Sequence, residues 1–287
     1  MDWREAISKT AGYLGSHGVP DSETAAELLA ARLIKTKRSA LLGRLLDSEV
    51  PPRCIEALRR AMARLKAGEP LQYVLGEWDF RRLTLKCDPR ALIPRPETEG
   101  LVSLVLEHIG KTKFKSTPFI VDVGTGTGAI ALSIADEANI PAIILGTDAS
   151  EDALSLAREN AALTGLTDKV RFAIADGLDD FDEPESIDII VSNPPYVTSA
   201  EYAALDPRVK DFEPRMALES GPDGLEFCER YLADALNLLK SGGRVFFEIG
   251  DTQGDRMMHL MTSFGFLEPR IFKDLAGLDR YATASLP

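Results

Sequence analysis

Asn193-Pro194-Pro195-Tyr196 is the tetrapeptide of this 287-residue chain whose residue types most clearly suggest chemistry. Two consecutive prolines remove two backbone donors and stiffen an extended loop. What remains is an acceptor array, the Asn193 side-chain oxygen and the Pro194 carbonyl, followed by the flat ring of Tyr196. Such an array suits a planar NH2 group, which offers two hydrogens to donate. The nitrogen lone pair of an amide or aromatic amine is delocalised. Two acceptors that fix its hydrogens draw the nitrogen toward a pyramidal geometry and aim it at an electrophilic carbon. Tyr196 adds a face against which an amide or a base stacks.

A second constellation lies upstream. Val121 to Gly128 reads VDVGTGTG, an apolar run that ends in Gly124, Gly126 and Gly128, with Thr125 and Thr127 between them. Glycines let the backbone turn sharply and a ligand approach closely. The spacing departs from the dinucleotide pattern GxGxxG, because Ala129 takes the last place. Asp148 ends the next apolar run, where a carboxylate accepts ribose hydroxyl protons or caps the following helix. Asp176, followed by Gly177, ends the third such run and is a candidate acceptor for an adenine amino group. These features describe a nucleoside-containing cofactor, either a nicotinamide dinucleotide or S-adenosylmethionine. The first needs its pyrophosphate held at a helix N-terminus. The second carries no phosphate, and Asp122 just before the glycines favours its cationic sulfonium. Both the glycine spacing and Asp122 lean toward the methyl donor.

The elements that must position these residues follow from periodicity. From residue 117 onward apolar runs alternate with helical patterns: strands at 118–124, 142–148, 169–176, 187–196, 242–250, 266–272 and 280–286, and helices near 127–138, 150–163, 223–240 and 252–264. Repeated βα units imply a parallel sheet covered by helices, with ligands at the carboxyl ends of its strands. Pro89, Pro94 and Pro96 hold the preceding segment extended, and a helix is expected from Pro96 to about His108. Residues 73–87 alternate like a hairpin around Arg81-Arg82. Residues 1–70 read as helices: one capped by Asp2, one capped by Asp21 or Ser22, a short one over 39–46, and one over 52–67. The last carries Arg53, Arg59, Arg60, Arg64 and Lys66, a candidate docking face for an acidic partner.

Net charge is −12, which disfavours a protein that grips long nucleic acid through phosphates. The charge is uneven: residues 1–80 hold 12 Lys and Arg against 11 Asp and Glu, so the acidity sits in the remainder. Three cysteines and three histidines are scattered, which gives neither a disulfide framework nor a metal site. No apolar run approaches the ~18 residues of a membrane span, and the N-terminus lacks the apolar stretch of a signal peptide. A cytoplasmic protein without membrane contact is expected.

The glycine loop, Asp148 and the Asn-Pro-Pro-Tyr segment resemble the S-adenosylmethionine-dependent amino-methyltransferases. Residues 70–80 (PLQYVLGEWDF), 88–99 (DPRALIPRPETE), 213–227 (EPRMALESGPDGLEF) and 273–280 (KDLAGLDR) narrow the resemblance to the peptide chain release factor N5-glutamine methyltransferases. The likeness covers nearly the whole chain. It implies a class I methyltransferase fold, α/β and Rossmann-like, with a mostly parallel seven-stranded sheet over 96–287, an N-terminal helical bundle over 1–72 for substrate docking, and a linking β-hairpin over 73–95. It also implies transfer of a methyl group to the glutamine amide of the Gly-Gly-Gln loop of class 1 release factors, with S-adenosylhomocysteine as product and no metal. Carried over by position, Gly124 to Gly128, with Asp122, would meet the methionine part of the cofactor. Asp148 would hold the ribose, and Asp176 and Gly177 would lie by the adenine. Asn193, also beside the cofactor, would hold the amide together with Pro194, Pro195 and Tyr196, and Arg95 and Glu97 would form part of the wall. Gly177 stands where the family often places an aromatic residue. A monomer without stable nucleic-acid binding is expected. Glutamine methylation of a ribosomal protein, adenine-N6 methylation of DNA and a non-enzymatic cofactor-binding module remain the competing readings.

Overall fold

The computed structural model describes residues 1–41 and 46–287. They form two compact units, 1–77 with 206–212, and 78–205 with 213–287. In the first, α1 (Trp3–Ser16) starts at Asp2, whose carboxylate accepts the Glu5 N–H and buries Trp3, Ala6 and Leu14 on one stripe. Asp21 takes the position before α2 (Ser22–Ile34) in left-handed backbone, without the side-chain capping bond expected of it. The helix expected over 39–46 is represented by a single 3-10 turn, Arg38–Ala40, and residues 42–45 of it lie outside the described residues.

Helix α3 (Pro52–Lys66) buries Cys54, Leu58 and Leu65. Its basic row is not all free for docking. Arg64 forks onto Glu69 at 2.5 and 2.7 Å and donates to the carbonyl of Tyr73 at 3.1 Å, so it ties α3 to α4 (Leu71–Leu75). Arg53, Arg59, Arg60 and Lys66 are exposed. Helix α4 also shortens the expected hairpin. Gly76 ends it in left-handed backbone, and only then do β1 (Glu77–Phe80) and β2 (Leu83–Lys86) pair.

The second unit continues with α5 (Thr98–Lys111), β3 (Phe119–Val123), α6 (Ala129–Glu137), β4 (Ile143–Asp148), α7 (Glu151–Thr164), β5 (Val170–Ile174), β6 (Ile187–Ser192) and α8 (Ser199–Ala204). Then α9 (Pro207–Lys210) belongs to the first unit, and the chain closes with α10 (Glu226–Leu238), β7 (Leu239–Glu248), α11 (Gly254–Ser263), β8 (Leu267–Lys273) and β9 (Asp279–Ser285). Neither α8 nor α9 was expected from the sequence.

Seven strands pair in the order β5-β4-β3-β6-β7-β9-β8. The first five are parallel, and β9 runs antiparallel to both β7 and β8. Alternate residues serve two cores. Ile120, Ile189, Val191 and Phe246 pack under α5 and α6, whereas Val121, Val123, Ile190 and Phe247 pack under α10 and α11. Strand order reverses between β3 and β6, so their carboxyl ends open a crevice in which ligands of such sheets bind.

The start of α5 packs against β9. Tyr281 donates to the Glu97 carbonyl at 2.6 Å, and a β-carbon on Gly100 would lie 2.1 Å from the Tyr281 hydroxyl oxygen. Gly100→Ala is therefore expected to lower unfolding free energy by about 1–3 kcal/mol through overpacking. Chemical denaturation checks this, and an unchanged midpoint would contradict the packing described.

Candidate active site

The crevice encloses about 410 Å3. Its floor is the glycine turn between β3 and α6. Gly124, Gly126 and Gly128 all have positive φ. At Gly128 the backbone requirement is doubled, since a β-carbon would come within 3.3 Å of both Leu132 and Ala157. Three side chains brace the turn. Asp122 is fully buried, and its Oδ2 accepts Thr125 Oγ1 at 2.6 Å and the Ala131 N–H at 3.1 Å. Asp148 accepts the Gly126 N–H at 2.9 Å on one oxygen and the Ser150 N–H at 2.9 Å on the other. Asn160, also fully buried, donates to the Thr127 carbonyl at 2.9 Å and accepts the Lys86 N–H at 2.7 Å, which joins the turn to β2.

The opposite wall is the exit from β6. Ser192 Oγ donates to the Val123 carbonyl at 2.7 Å and fixes this exit against the glycine turn. Asn193 then faces the cavity, and its Nδ2 donates to Thr98 Oγ1 at 3.1 Å. Thr98 donates to Glu248 Oε2 at 2.7 Å, and the Tyr196 hydroxyl lies 3.5 Å from Glu248 Oε1. Gln253 holds the Tyr196 carbonyl at 3.0 Å.

Gly124, Thr125, Gly126, Thr127, Asp148, Asp176, Gly177, Asn193, Pro195 and Arg95 are brought together around this one cavity. Asp122, Gly128, Pro194, Tyr196 and Glu97 do not line it. Asp122 lies beneath the turn as a brace, because two donors claim it there. Pro194 is buried, and the Tyr196 phenol turns to the buried Glu248. Glu97 is exposed at the start of α5. Arg95 is paired with buried Glu213 at 2.5 Å.

Several lining residues carried no signal in the sequence. Phe227, Arg230 and Tyr231 reach the cavity from α10. They explain Gly177, whose φ is +73° and where a β-carbon would lie 2.4 Å from Arg230 Nη2 and 2.7 Å from the Tyr231 ring. Where the family often places an aromatic residue after Asp176, this chain brings the Tyr231 ring from α10 beside Gly177. The Arg230 guanidinium sits 5.4 Å from the Tyr231 ring centre and pairs with Asp176 at 2.5 Å. Glu248 does carry a signal in the sequence, a carboxylate inside the apolar strand RVFFEIG.

The donor set fits S-adenosylmethionine better than a dinucleotide. Every arginine lining the cavity is paired with a carboxylate: Arg90 with Asp88 and Glu159, Arg95 with Glu213, and Arg230 with Asp176. Among the described residues that line the cavity no cation is left for a pyrophosphate, and Asp148 already takes a backbone N–H at the turn. Each Asp148 oxygen still keeps acceptor capacity for a ribose hydroxyl.

Family models match at two places, a methyltransferase domain over residues 115–268 and the PrmC N-terminal domain over residues 5–76. A release factor glutamine methyltransferase of Deinococcus radiodurans is 36% identical over 99% of this chain and 98% of its own length. One of Moorella thermoacetica is 37% identical over 98% and 97%. The chain belongs to the release factor glutamine methyltransferase family. Among solved structures, the N-terminal domain of human METTL16 in complex with SAH superposes with a TM-score of 0.54 at 18% identity, covering 77% of this chain and 82% of that one. This likeness shows a shared fold, and the family model shows a methyltransferase domain. Among the described residues no helix is long and apolar enough to cross a membrane.

Burial pushes the Asp122 carboxyl up to about 7, with the Thr125 and Ala131 bonds opposing, and pushes Glu248 up to about 7 as well. Both hold protons in the folded enzyme at a pH where the unfolded chain has lost them. Their contribution to stability therefore falls as pH rises from about 4 to 7. His108, lowered by burial to about 4, acts oppositely but only below its ordinary value of 6.5. Unfolding free energy is expected to be lower at pH 8 than at pH 6, and Asp122→Asn should flatten this slope. Denaturation curves at the two pH values check it, and an unaltered slope in the variant would contradict the assignment to Asp122.

Proposed function

We propose that this enzyme transfers a methyl group from S-adenosylmethionine to the side-chain amide nitrogen of the glutamine in the Gly-Gly-Gln loop of class 1 release factors. The observation that supports it most is the single cavity shared by the glycine turn, Asp148 and Asn193, in a chain that aligns end to end with glutamine methyltransferases. Bound S-adenosylmethionine supplies an electrophilic methyl carbon on a positively charged sulfur. Gly124 to Thr127 receive its amino acid portion, Asp148 its ribose, and the surface of Gly177, Phe227 and Tyr231 its adenine. Asp176, held by Arg230, stands at the rim of that surface.

The glutamine amide enters beside Asn193. Its two N–H groups donate to Asn193 Oδ1 and to the carbonyl that joins Pro194, itself buried, to Pro195 on the cavity wall, which fixes the nitrogen and turns its lone pair toward the methyl carbon. Pro195 walls the amide, and Tyr196 anchors the loop through its contacts with Glu248 and Gln253. Proximity and preorganised acceptors carry the rate enhancement. No strong base is required, because the nitrogen becomes acidic once methylated and then releases its proton to water. The exposed cations of α3 suit an acidic protein partner. The enzyme acts as a monomer on protein rather than on nucleic acid.

Mass spectrometry of a class 1 release factor incubated with the enzyme and S-adenosylmethionine tests the reading. The expected result is the mass of one added methylene on the Gly-Gly-Gln peptide. With Asn193→Ala, turnover should fall on the order of a hundredfold while affinity for S-adenosylhomocysteine stays within about twofold. A methyl group found instead on a ribosomal protein or on DNA adenine would overturn the substrate assignment. Equal loss of turnover and cofactor affinity would overturn the role of Asn193.

A further inference from the structure

Glu248 is the last residue of β7 and is fully buried at the carboxyl edge of the sheet. Methyl transfer as described above makes no direct use of it. A buried carboxylate is costly unless its oxygens are well paired, so its partners are informative. They form one chain: Asn193 Nδ2 to Thr98 Oγ1 at 3.1 Å, Thr98 Oγ1 to Glu248 Oε2 at 2.7 Å, with Tyr196 at 3.5 Å from the other oxygen.

The chain has a direction. A threonine hydroxyl carries one hydrogen and two lone pairs. With the hydrogen committed to an ionised Glu248, Thr98 presents only lone pairs to Asn193. The amide of Asn193 must then turn its NH2 end to Thr98, and its oxygen is the end left for the cavity. The opposite rotamer would set Oδ1 against the Thr98 lone pairs and present an NH2 group to the substrate's own NH2. We propose that Glu248, acting through Thr98, is a positioning residue that sets which end of the Asn193 amide meets the substrate, and that only its ionised form does so. The inference rests on the glutamine-amide reading above.

Protonation reverses the chain. A neutral Glu248 can donate to Thr98 Oγ1, which frees the Thr98 hydrogen to bond Asn193 Oδ1 and allows the amide to flip. The groups facing Glu248 are few. Thr98 and the Glu97 carboxylate come from the start of α5, Tyr196 from the β6 exit, and Arg280 and Tyr281 from β9; Arg95 adds its charge at Tyr196. The Arg280 guanidinium is divided between the Ile249 carbonyl at 3.1 Å and Asp274 at 3.3 Å, so it stabilises the Glu248 charge without bonding it. Burial raises the Glu248 pKa to about 7, which puts the switch within a usable range.

The test measures turnover of a class 1 release factor at saturating S-adenosylmethionine from pH 5.5 to 8.5, for wild type, Thr98→Val and Thr98→Ser, with calorimetric affinity for S-adenosylhomocysteine alongside. Wild-type kcat should fall about tenfold per pH unit below the Glu248 pKa. Thr98→Val, which leaves Asn193 undirected, should lose about tenfold in kcat at pH 8, keep cofactor affinity within about twofold, and show no acidic limb. Thr98→Ser should restore both rate and limb. The proposal is overturned if Thr98→Val keeps wild-type kcat, if it keeps the acidic limb, if rate and cofactor affinity fall together, or if serine does not rescue. Should Thr98→Val not fold, a wild-type kcat that is flat from pH 5.5 to 8.5 overturns it by itself. A wild type that transfers no methyl group at all would instead sink the function on which the inference rests.

Discussion

Parallel pairing of β3 with β6 places Val123 opposite Ser192, and the Ser192 hydroxyl locks onto the Val123 carbonyl at 2.7 Å. Everything in the site depends on this register. One residue beyond Val123 the backbone enters the glycine turn, and one residue beyond Ser192 comes Asn193. The pairing therefore brings a cofactor-sized crevice and an acceptor amide to the same rim. A slip of one residue would turn the β6 side chains to the opposite face and send Asn193 away from the crevice. The apolar alternation of Ile189, Ile190 and Val191 between two separate cores makes such a slip costly.

Around that rim, charge is kept on a short leash. The arginines of the cavity are each occupied by a carboxylate. The two deeply buried acids that brace the site, Asp122 and Glu248, receive hydrogen bonds rather than ion pairs. A site built this way has little net attraction for a phosphate. It does have room for a cationic sulfur near negative or dipolar groups, and half-buried acceptors whose hydrogen bonds are stronger than they would be in bulk water. The enzyme thus invests in orientation more than in proton transfer, in keeping with a reaction whose nucleophile is a neutral amide.

Much of this was legible in the sequence because the decisive residues are punctuation. Glycines at positive φ and paired prolines after a β-strand pattern announce themselves locally, and the βα alternation placed them at strand ends. The strands and helices expected from 117 onward fell within a few residues of their observed limits, although α8 and α9 were not among them. What the sequence hid was tertiary. Thr98 and Glu248 are 150 positions apart, and nothing local joins them. Asp122 reads as an acid facing a ligand until its burial beneath the turn is seen. Tyr231 reads as one apolar residue of α10, yet it fills the space that Gly177 leaves open. Residues 71–75 are a short apolar run without helical or strand periodicity, and Arg64 and Gly76 decide for helix by contacts the pattern cannot show.

A crystal structure of the enzyme with S-adenosylhomocysteine and a Gly-Gly-Gln peptide is the most direct test of the central geometry. The account predicts the glutamine amide nitrogen within hydrogen-bonding distance of both Asn193 Oδ1 and the Pro194 carbonyl, with the sulfur on the side of the glycine turn. A peptide amide seated elsewhere, or an Asn193 that turns Nδ2 toward it, would contradict the account.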